Sequence, residues 1–413
     1  MRGGALPHLS PAGADARGWR SAVALECRPL ATLAAATGAD GHGQVRSLVA
    51  GPLIVLARPA LADALLRLPE GVARTGAANA RMLPLLPPDT VLTLDGAAHR
   101  RRRSDLSGRV TGAPLVELAT RLDGLVDAHL ATWPVGSPFP VLARLRSLTF
   151  AVAADLLLGL RDGPRVTELE RCLASALPPY GLLAGVPGGD RLGPAGPEAA
   201  IRRGRRRFAS CLSAVGGAGP DPELGSDELL ALLLAGQDTT ATALAWILLE
   251  LAADPALSAR LAEDIAAGQR RWLDATIHEA LRLHPPLIDV MRELTVDASF
   301  ADLRVCAGTL MMICPGLVGR ASETADPGRF RPERFLDRQP DPRSWIPFGG
   351  GPRRCLGASL AMLELRSILS RVVGRFGFTA DAGPERPRLR GTAVVPHRGG
   401  RLCLSLRDAG AGR

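Results

Sequence analysis

Lysine is absent from this 413-residue chain, and all 50 basic residues are arginine. Alanine, glycine and proline are heavily used, so we read the absence as coding bias and not as function. Aromatic residues make up only 4 %, with a single tyrosine. Proteins that grip single-stranded nucleic acid stack bases on aromatic side chains beside their basic residues. The run Arg202–Arg207, interrupted by Gly204, has little aromatic content near it. A basic nucleic-acid-binding protein therefore stays only as a remote alternative, against a solvated helix face.

Cysteine is not arranged for a metal cluster. Cys27, Cys172, Cys211, Cys306, Cys314, Cys355 and Cys403 are odd in number, and no two are spaced like a zinc or iron–sulfur site. This points to a reducing, cytoplasmic setting with most of them as small buried hydrophobic side chains. The N-terminus lacks the apolar core of a signal peptide. The longest apolar stretch, Leu229–Ala253, carries Gln237, Asp238, Thr239 and Thr240 at its centre. Those groups are costly at a bilayer midplane, so a buried core helix is expected and no transmembrane segment. No internal repeat is found.

What is present is ample material for a large core, with 46 % apolar residues; two domains, or one with a small lobe, both fit. The net charge of +9 favours acidic partners. Residues 1–20 read as a disordered segment. Val45–Val49 and Leu53–Ala57 flank Gly51-Pro52 as a hairpin. Helical spacing runs over Pro59–Leu68, from Gly96 onward, and through 114–160. Pro178–Pro197, rich in Pro and Gly, reads as a mobile loop. Ser226 is placed to cap the long apolar helix, with Asp227 and Glu228 in its first turn. A further helix bears Leu273, Ile277 and Leu281 and stops before Pro285-Pro286. Strands follow at Leu303–Cys306, Leu310–Ile313 and Leu402–Leu406. The chain should be mainly α with a minor β lobe.

The segment Phe348-Gly349-Gly350-Gly351-Pro352-Arg353-Arg354-Cys355-Leu356-Gly357 concentrates chemistry. Its glycines let the backbone approach something flat and bulky. The adjacent arginines favour a thiolate, the form that ligates metal. A helix following Cys355 would aim its first amides at the sulfur. The plain alternative is a Gly-rich turn beside an ordinary buried thiol. Asp238 and Thr239 lie midway along an apolar helix, where a carboxylate needs a reason; a threonine there can also simply bond back to the preceding turn. Glu279 and Arg282 share one helix face, suited to a bidentate pair or to a surface ion pair of little worth.

These segments together resemble the cytochrome P-450 family. The Cys355 segment is similar to its cysteine-ligand loop, F-x-x-G-x-R-x-C-x-G, at every fixed position. Ala235-Gly236-Gln237-Asp238-Thr239-Thr240 resembles the oxygen-binding motif of the central helix. Glu279-Ala280-Leu281-Arg282 resembles the E-x-x-R pair, and Pro332-Glu333-Arg334-Phe335 the P-E-R-F segment. All four occur in family order, and the likeness extends back to about Leu30. It implies the cytochrome P-450 fold over 21–413, with a small β-rich lobe from about 44–57, 303–313 and 392–406. It also implies haem b with Cys355 as axial thiolate, and dioxygen as co-substrate. Asp238 and Thr239 would relay protons, and Ala235 and Gly236 would leave room for the oxygen. His99, Arg103, Arg292 and Arg353 would meet the propionates, with Phe348, Gly349 and Gly357 shaping the cysteine side. Glu279, Arg282 and Arg334 would form a structural trio.

The activity implied is insertion of one oxygen atom into a lipophilic small molecule by a monomeric monooxygenase, in secondary metabolism. Ala77–Pro88, Tyr180–Val186 and Leu287–Met291 are the expected pocket walls. No flavin or iron–sulfur domain fits in the chain, so electrons would come from a ferredoxin and its reductase. A haem-thiolate enzyme performing coupling, desaturation or peroxygenation is the other reading, although retention of Asp238 and Thr239 argues against a peroxide-driven member. Two stretches, 216–225 and 254–278, are short for the family.

Overall fold

Runs of apolar residues too long for one exposed face force several helices into the interior. The computed structural model describes residues 8–9, 18–48, 50–83, 86–161, 163–176, 196–216, 224–323, 325–381 and 383–407. The chain opens with β1 (His8–Leu9), α1 (Gly18–Cys27), α2 (Pro29–Thr37) and the hairpin β2 (His42–Ser47)–β3 (Gly51–Leu56). Next come α3 (Pro59–Leu66), β4 (Ala73–Arg74), α4 (Gly76–Met82), α5 (Gly96–Val110) and α6 (Ala113–Leu130). β5 (Phe139–Pro140), α7 (Val141–Leu158), α8 (Gly163–Ala176), α9 (Pro197–Ala214), α10 (Ser226–Ala253), α11 (Pro255–Ala266) and α12 (Arg271–Leu283) follow. Then β6 (Val290–Leu294), β7 (Ala298–Phe300), β8 (Leu303–Val305), β9 (Leu310–Ile313) and α13 (Pro315–Ala321) precede α14 (Ala358–Arg375). The chain closes on β10 (Phe376–Ala380), β11 (Pro387–Arg390), β12 (Ala393–Pro396) and β13 (Arg401–Leu406).

Helix α10, 28 residues and about 40 Å long, is apolar nearly all round and can only be buried. Its C-terminal half packs Ala241, Leu244, Ile247 and Leu251 into a core shared with Leu145, Leu148 and Val152 of α7 and Leu365, Ile368 and Leu369 of α14. Each such leucine contributes about 1.5–3 kcal/mol by leaving water. Its N-terminal half meets α8 and α9 through Leu229, Leu230, Leu233, Leu169 and Phe208. By length and hydropathy α10 could cross a membrane, but 61 % of the relevant window is buried within the protein, as a core helix would be.

The main sheet has the order β2-β3-β9-β6-β4. Ile54 pairs with Met311 in parallel, and Arg292 with Met311 antiparallel. The hairpin thus shares its sheet with 310–313, while 303–305 and 393–406 fall into other sheets.

Several expectations need correction. Ser226 does not cap α10; it lies inside the first turn, and Gly225 occupies the cap position without a side-chain bond. Asp227 and Glu228 do stand in that turn. Of residues 1–20, the described ones are not unstructured: His8–Leu9 pairs in parallel with Arg304–Val305, and α1 begins at Gly18. Nearly all of Pro178–Pro197 lies outside the described residues. The cysteines are not mostly buried thiols. Cys172 of α8 and Cys211 of α9 form a disulfide, 39 positions apart in sequence, and of the free cysteines only Cys314 is buried. Helix–helix packing makes that pair, and sequence spacing does not encode it.

Candidate active site

The loop before α14 is closed by one backbone bond, Cys355 N–H to the Phe348 carbonyl at 2.8 Å, around a 3-10 turn at Gly351–Arg353. Its glycines answer to a neighbour as well as to geometry. A Cβ on Gly350 would meet Leu66 Cδ1 at 2.9 Å, and one on Gly351, which has φ +64°, would meet the Leu66 carbonyl oxygen at 2.8 Å. The Phe348 ring stacks edge-on to Trp345, whose indole donates to the His278 carbonyl at 3.0 Å. Gly357 precedes α14, and Ala361 N–H bonds back to it at 2.8 Å. Protein surrounds Cys355 closely, yet its side chain is accessible. Burial raises its thiol above the usual value, while the Gly357 amide, Arg103 and Arg354 act the other way. The expected help from neighbouring arginines is thus real for Arg354 but smaller than desolvation. A thiolate here calls for a bound cation.

On α10, Leu232, Ala235, Gly236 and Thr239 form an open stripe at three- and four-residue spacing, with Ala235 exposed and the other three half-buried. The Thr239 hydroxyl donates to the Ala235 carbonyl at 2.9 Å. Thr149 of α7 donates to the Gln237 carbonyl at 2.8 Å, and the Gln237 amide donates to Glu170 at 3.1 Å. Asp238 is half-buried and ion-paired with Arg146 of α7, and Arg390 also feels its charge. On α14, Glu364 is buried and pushed up to about 8 by desolvation, with the Thr240 side chain bonded to it.

Beyond the cysteine loop lies a basic cluster. His99 is buried on α5, and its Nδ1 has no hydrogen-bond partner of good geometry, although Glu70 Oε1 is 3.3 Å away. Burial and then Arg353 lower the His99 pKa, so the ring is neutral. Arg292 of β6 spends Nη1 on the Met291 carbonyl at 2.8 Å and leaves Nη2 buried without a partner. Burial brings its pKa down to about 10. Arg353 is shared among Glu70 at 3.2 Å, the Leu94 carbonyl at 2.5 Å and Asp95 at 2.6 Å. The basic run on α5 splits: Arg100 goes to Glu70, Arg102 to the buried Glu228, and Arg103 acts on His99, Arg353 and Cys355. Unpartnered buried nitrogens of His99 and Arg292, with an accessible cysteine sulfur that feels Arg103 of the same helix as His99, fit a flat metal-bearing group with carboxylate substituents.

Glu279, Arg282 and Arg334 are brought together. Arg282 pairs bidentately with Glu279 at 2.7 and 2.8 Å, both side chains being essentially fully buried. Arg282 also donates to the Gly319 and Pro327 carbonyls, and Glu279 accepts from Arg331 N–H at 2.8 Å and from Arg334 at 3.3 Å. This network fastens α12 to the Pro332–Phe335 turn.

Among the expected pocket walls, Ile288 and Met291 turn instead into the core around the main sheet, and Tyr180–Val186 lies outside the described residues. Asp289 interrupts the apolar wall with a desolvated carboxyl raised to about 7. Sequence reasoning missed Glu70, Asp95, Arg146 and Glu364, and the pairing of Glu228 with Arg102. Only Asp95 carried a signal, an acid directly before a helix start. A groove of about 920 Å³ between α6, α14 and the 268–270 turn includes none of the expected site residues.

A mainly helical fold holding an accessible cysteine at the end of a glycine loop, an open-faced central helix and a buried Glu-Arg-Arg trio defines the class. The sequence profile of the cytochrome P-450 family matches residues 221–404. The putative cytochrome P-450 135B1 of Mycobacterium tuberculosis is 30 % identical over 397 residues, covering 87 % of this chain and 84 % of that protein. The putative cytochrome P-450 137 of the same species is 31 % identical over 383 residues, covering 85 % and 80 %. Among solved structures, CYP175A1 of Thermus thermophilus superimposes with a TM-score of 0.76 at 24 % identity, covering 98 % of this chain and all of that one. A 6-coordinated cytochrome P-450 from another strain of Thermus thermophilus gives 0.73 at 25 %, covering 92 % and 98 %. The chain belongs to the cytochrome P-450 family and is an oxidoreductase of its monooxygenase kind. The family brings haem with cysteine-thiolate ligation, dioxygen, and a redox partner as electron source.

Proposed function

We propose that this enzyme holds haem b through Cys355 and inserts one oxygen atom from dioxygen into a lipophilic small molecule, with electrons from a ferredoxin and its reductase. The observation that carries this is Cys355 itself: an accessible sulfur closely surrounded by protein, at the end of a glycine loop in which Leu66 closes the Cβ positions of Gly350 and Gly351. When bound, the haem supplies dioxygen activation; the protein supplies a thiolate, a proton route and a shaped space. His99, Arg103 and Arg292 are suited to the propionates, and the orphaned atoms of His99 and Arg292 support that assignment. Arg353, expected to join them, has its donors largely committed to protein acceptors. Ala235 and Gly236 would leave room for the dioxygen, and Thr239 offers a hydroxyl that both accepts and donates. Asp238 takes protons from the solvent side. Retention of this acid–alcohol pair favours dioxygen over peroxide as the oxidant.

The substrate is taken to be apolar because the accessible residues of this stretch of α10 include Leu232 and Ala235, and the expected wall segment 287–291 is largely apolar. Secondary metabolism, a cytoplasmic location and a monomeric state complete the proposal. The test is the reduced, carbon monoxide-treated absorption spectrum. Wild-type protein should show the strongly red-shifted band of thiolate ligation, and Cys355→Ala should lose it. An unchanged band in that variant would refute the assignment of Cys355.

A further inference from the structure

We infer that Glu70 is a positioning residue that sets the charge at the propionate edge of the haem site and thereby holds the haem potential low. The inference rests on the reading of Cys355 and the basic cluster given above. Glu70 lies in the turn between α3 and β4, and its side chain is only 14 % exposed. Its Oε1 stands 3.2 Å from Arg353 Nε and 3.3 Å from His99 Nδ1, and its Oε2 stands 3.0 Å from Arg100. One carboxylate thus touches both the cysteine loop and α5. The end of α3, just before this turn, reaches the loop a second time through Leu66, which closes the Cβ positions of Gly350 and Gly351.

The charges around it are specific. Arg100, Arg103, Arg292 and Arg353 supply four guanidiniums, and Glu70 and Asp95 supply two carboxylates. His99 adds no charge, because burial and Arg353 keep it neutral. The arginines outnumber the carboxylates by two, which matches the two propionates of a haem. Asp95 is committed to the backbone as well, accepting from the amides of Thr75, Gly76 and Ala77 at 3.1, 2.7 and 3.0 Å. Glu70 makes no comparable backbone bond among the described residues, so its charge is free to act on the cluster. Arg292 feels it directly: Glu70 and Asp95 pull its pKa up against burial and Arg353. Losing the Glu70 charge leaves the cluster one positive charge in excess. The excess favours the reduced haem, which carries one electron more.

The test is the midpoint potential of the purified holoenzyme, measured by spectroelectrochemical titration for wild type, Glu70→Gln, Glu70→Ala and Glu70→Asp. Glu70→Gln keeps the volume and an acceptor and removes only the charge. It should shift the potential upward as far as Glu70→Ala does, while Glu70→Asp returns it towards wild type. A wild-type potential in Glu70→Gln would overturn the proposal and leave Glu70 a packing role. Haem loss from a folded Glu70→Gln protein would overturn it too, because removing an anion cannot weaken the hold on propionates by charge. The carbon monoxide spectrum of the same samples separates the levels. No thiolate band in wild type fails the underlying reading; a thiolate band with an unmoved potential fails only this one.

Discussion

Arg146 of α7 grips the Asp238 carboxylate of α10 from 92 positions earlier in the chain. The acid expected to take up protons is therefore held by an arginine, and its charge also acts on Arg390. Release from Arg146 would let the carboxylate swing between solvent and Thr239.

Asp238→Asn should slow reductant consumption about 100-fold, since a positioned acid–base group contributes roughly that much. Thr239→Ala should behave differently. Among the described residues its hydroxyl bonds only to the Ala235 carbonyl in the same helix, so folding and haem content should be kept. Reductant should still be consumed, with more of it recovered as hydrogen peroxide and less as product. Wild-type rate and coupling in both variants would reduce the pair to helix architecture.

The Glu279–Arg282 pair gives a stability prediction. Both side chains are essentially without solvent contact, and Arg334 and the Arg331 amide share the same carboxylate. Removing one member leaves the other charge buried, at a cost of about 3–5 kcal/mol. Glu279→Gln should lower the denaturation midpoint of the holoenzyme and reduce haem content, as read by urea titration with Soret detection. Arg334→Lys should cost less, because Arg282 still pairs with Glu279.

How far this site could be read from sequence depends on the range of each interaction. Glu279 and Arg282 lie one helical turn apart, and the glycine loop carries Cys355 within a single segment, so their residues announce the geometry. The partners of those residues do not. Arg146 meets Asp238, Glu70 meets Arg353 and Glu228 meets Arg102 only because helices and turns pack side by side. In a chain whose basic residues are all arginine, nothing local marks which arginine is committed. The basic run on α5 shows this: Arg100 and Arg102 point to different carboxylates, and Arg103 acts on the cysteine side. The hairpin and the long helix were legible from period and length. Ser226 was not, because the helix begins one residue earlier than its capping chemistry suggests.

The disulfide between α8 and α9 predicts a thiol count. Denatured, unreduced protein should expose five thiols to an alkylating reagent, matching the free cysteines, and two more after reduction. Cys172→Ser should destabilise by about 3–4 kcal/mol at most, the chain entropy of a loop of this size. Seven reactive thiols without reduction would show that the pair stays reduced, as expected for a reducing compartment.

Glu364 gives the pH dependence. It is buried on α14, and desolvation lifts its pKa from 4.5 to about 8, with the Thr240 side chain opposing the rise. A carboxyl raised on folding favours the folded state in its protonated form. Its contribution is complete below the unfolded value and is lost as pH rises through the folded value. Wild-type stability should therefore fall between about pH 4.5 and 8 relative to a variant that cannot ionise there. Glu364→Gln is that variant, and it keeps a hydrogen-bonding acceptor for Thr240. Across this window the stability difference should move in favour of Glu364→Gln by several kcal/mol, at roughly 1.4 kcal/mol for each pH unit crossed. Asp289, raised to about 7, titrates in the same range in both proteins, so it cancels in the difference. The measurement is urea denaturation of wild type and Glu364→Gln at half-unit intervals from pH 5 to 9, at constant ionic strength. A stability difference that stays flat across that range would mean that Glu364 ionises like an ordinary surface carboxylate.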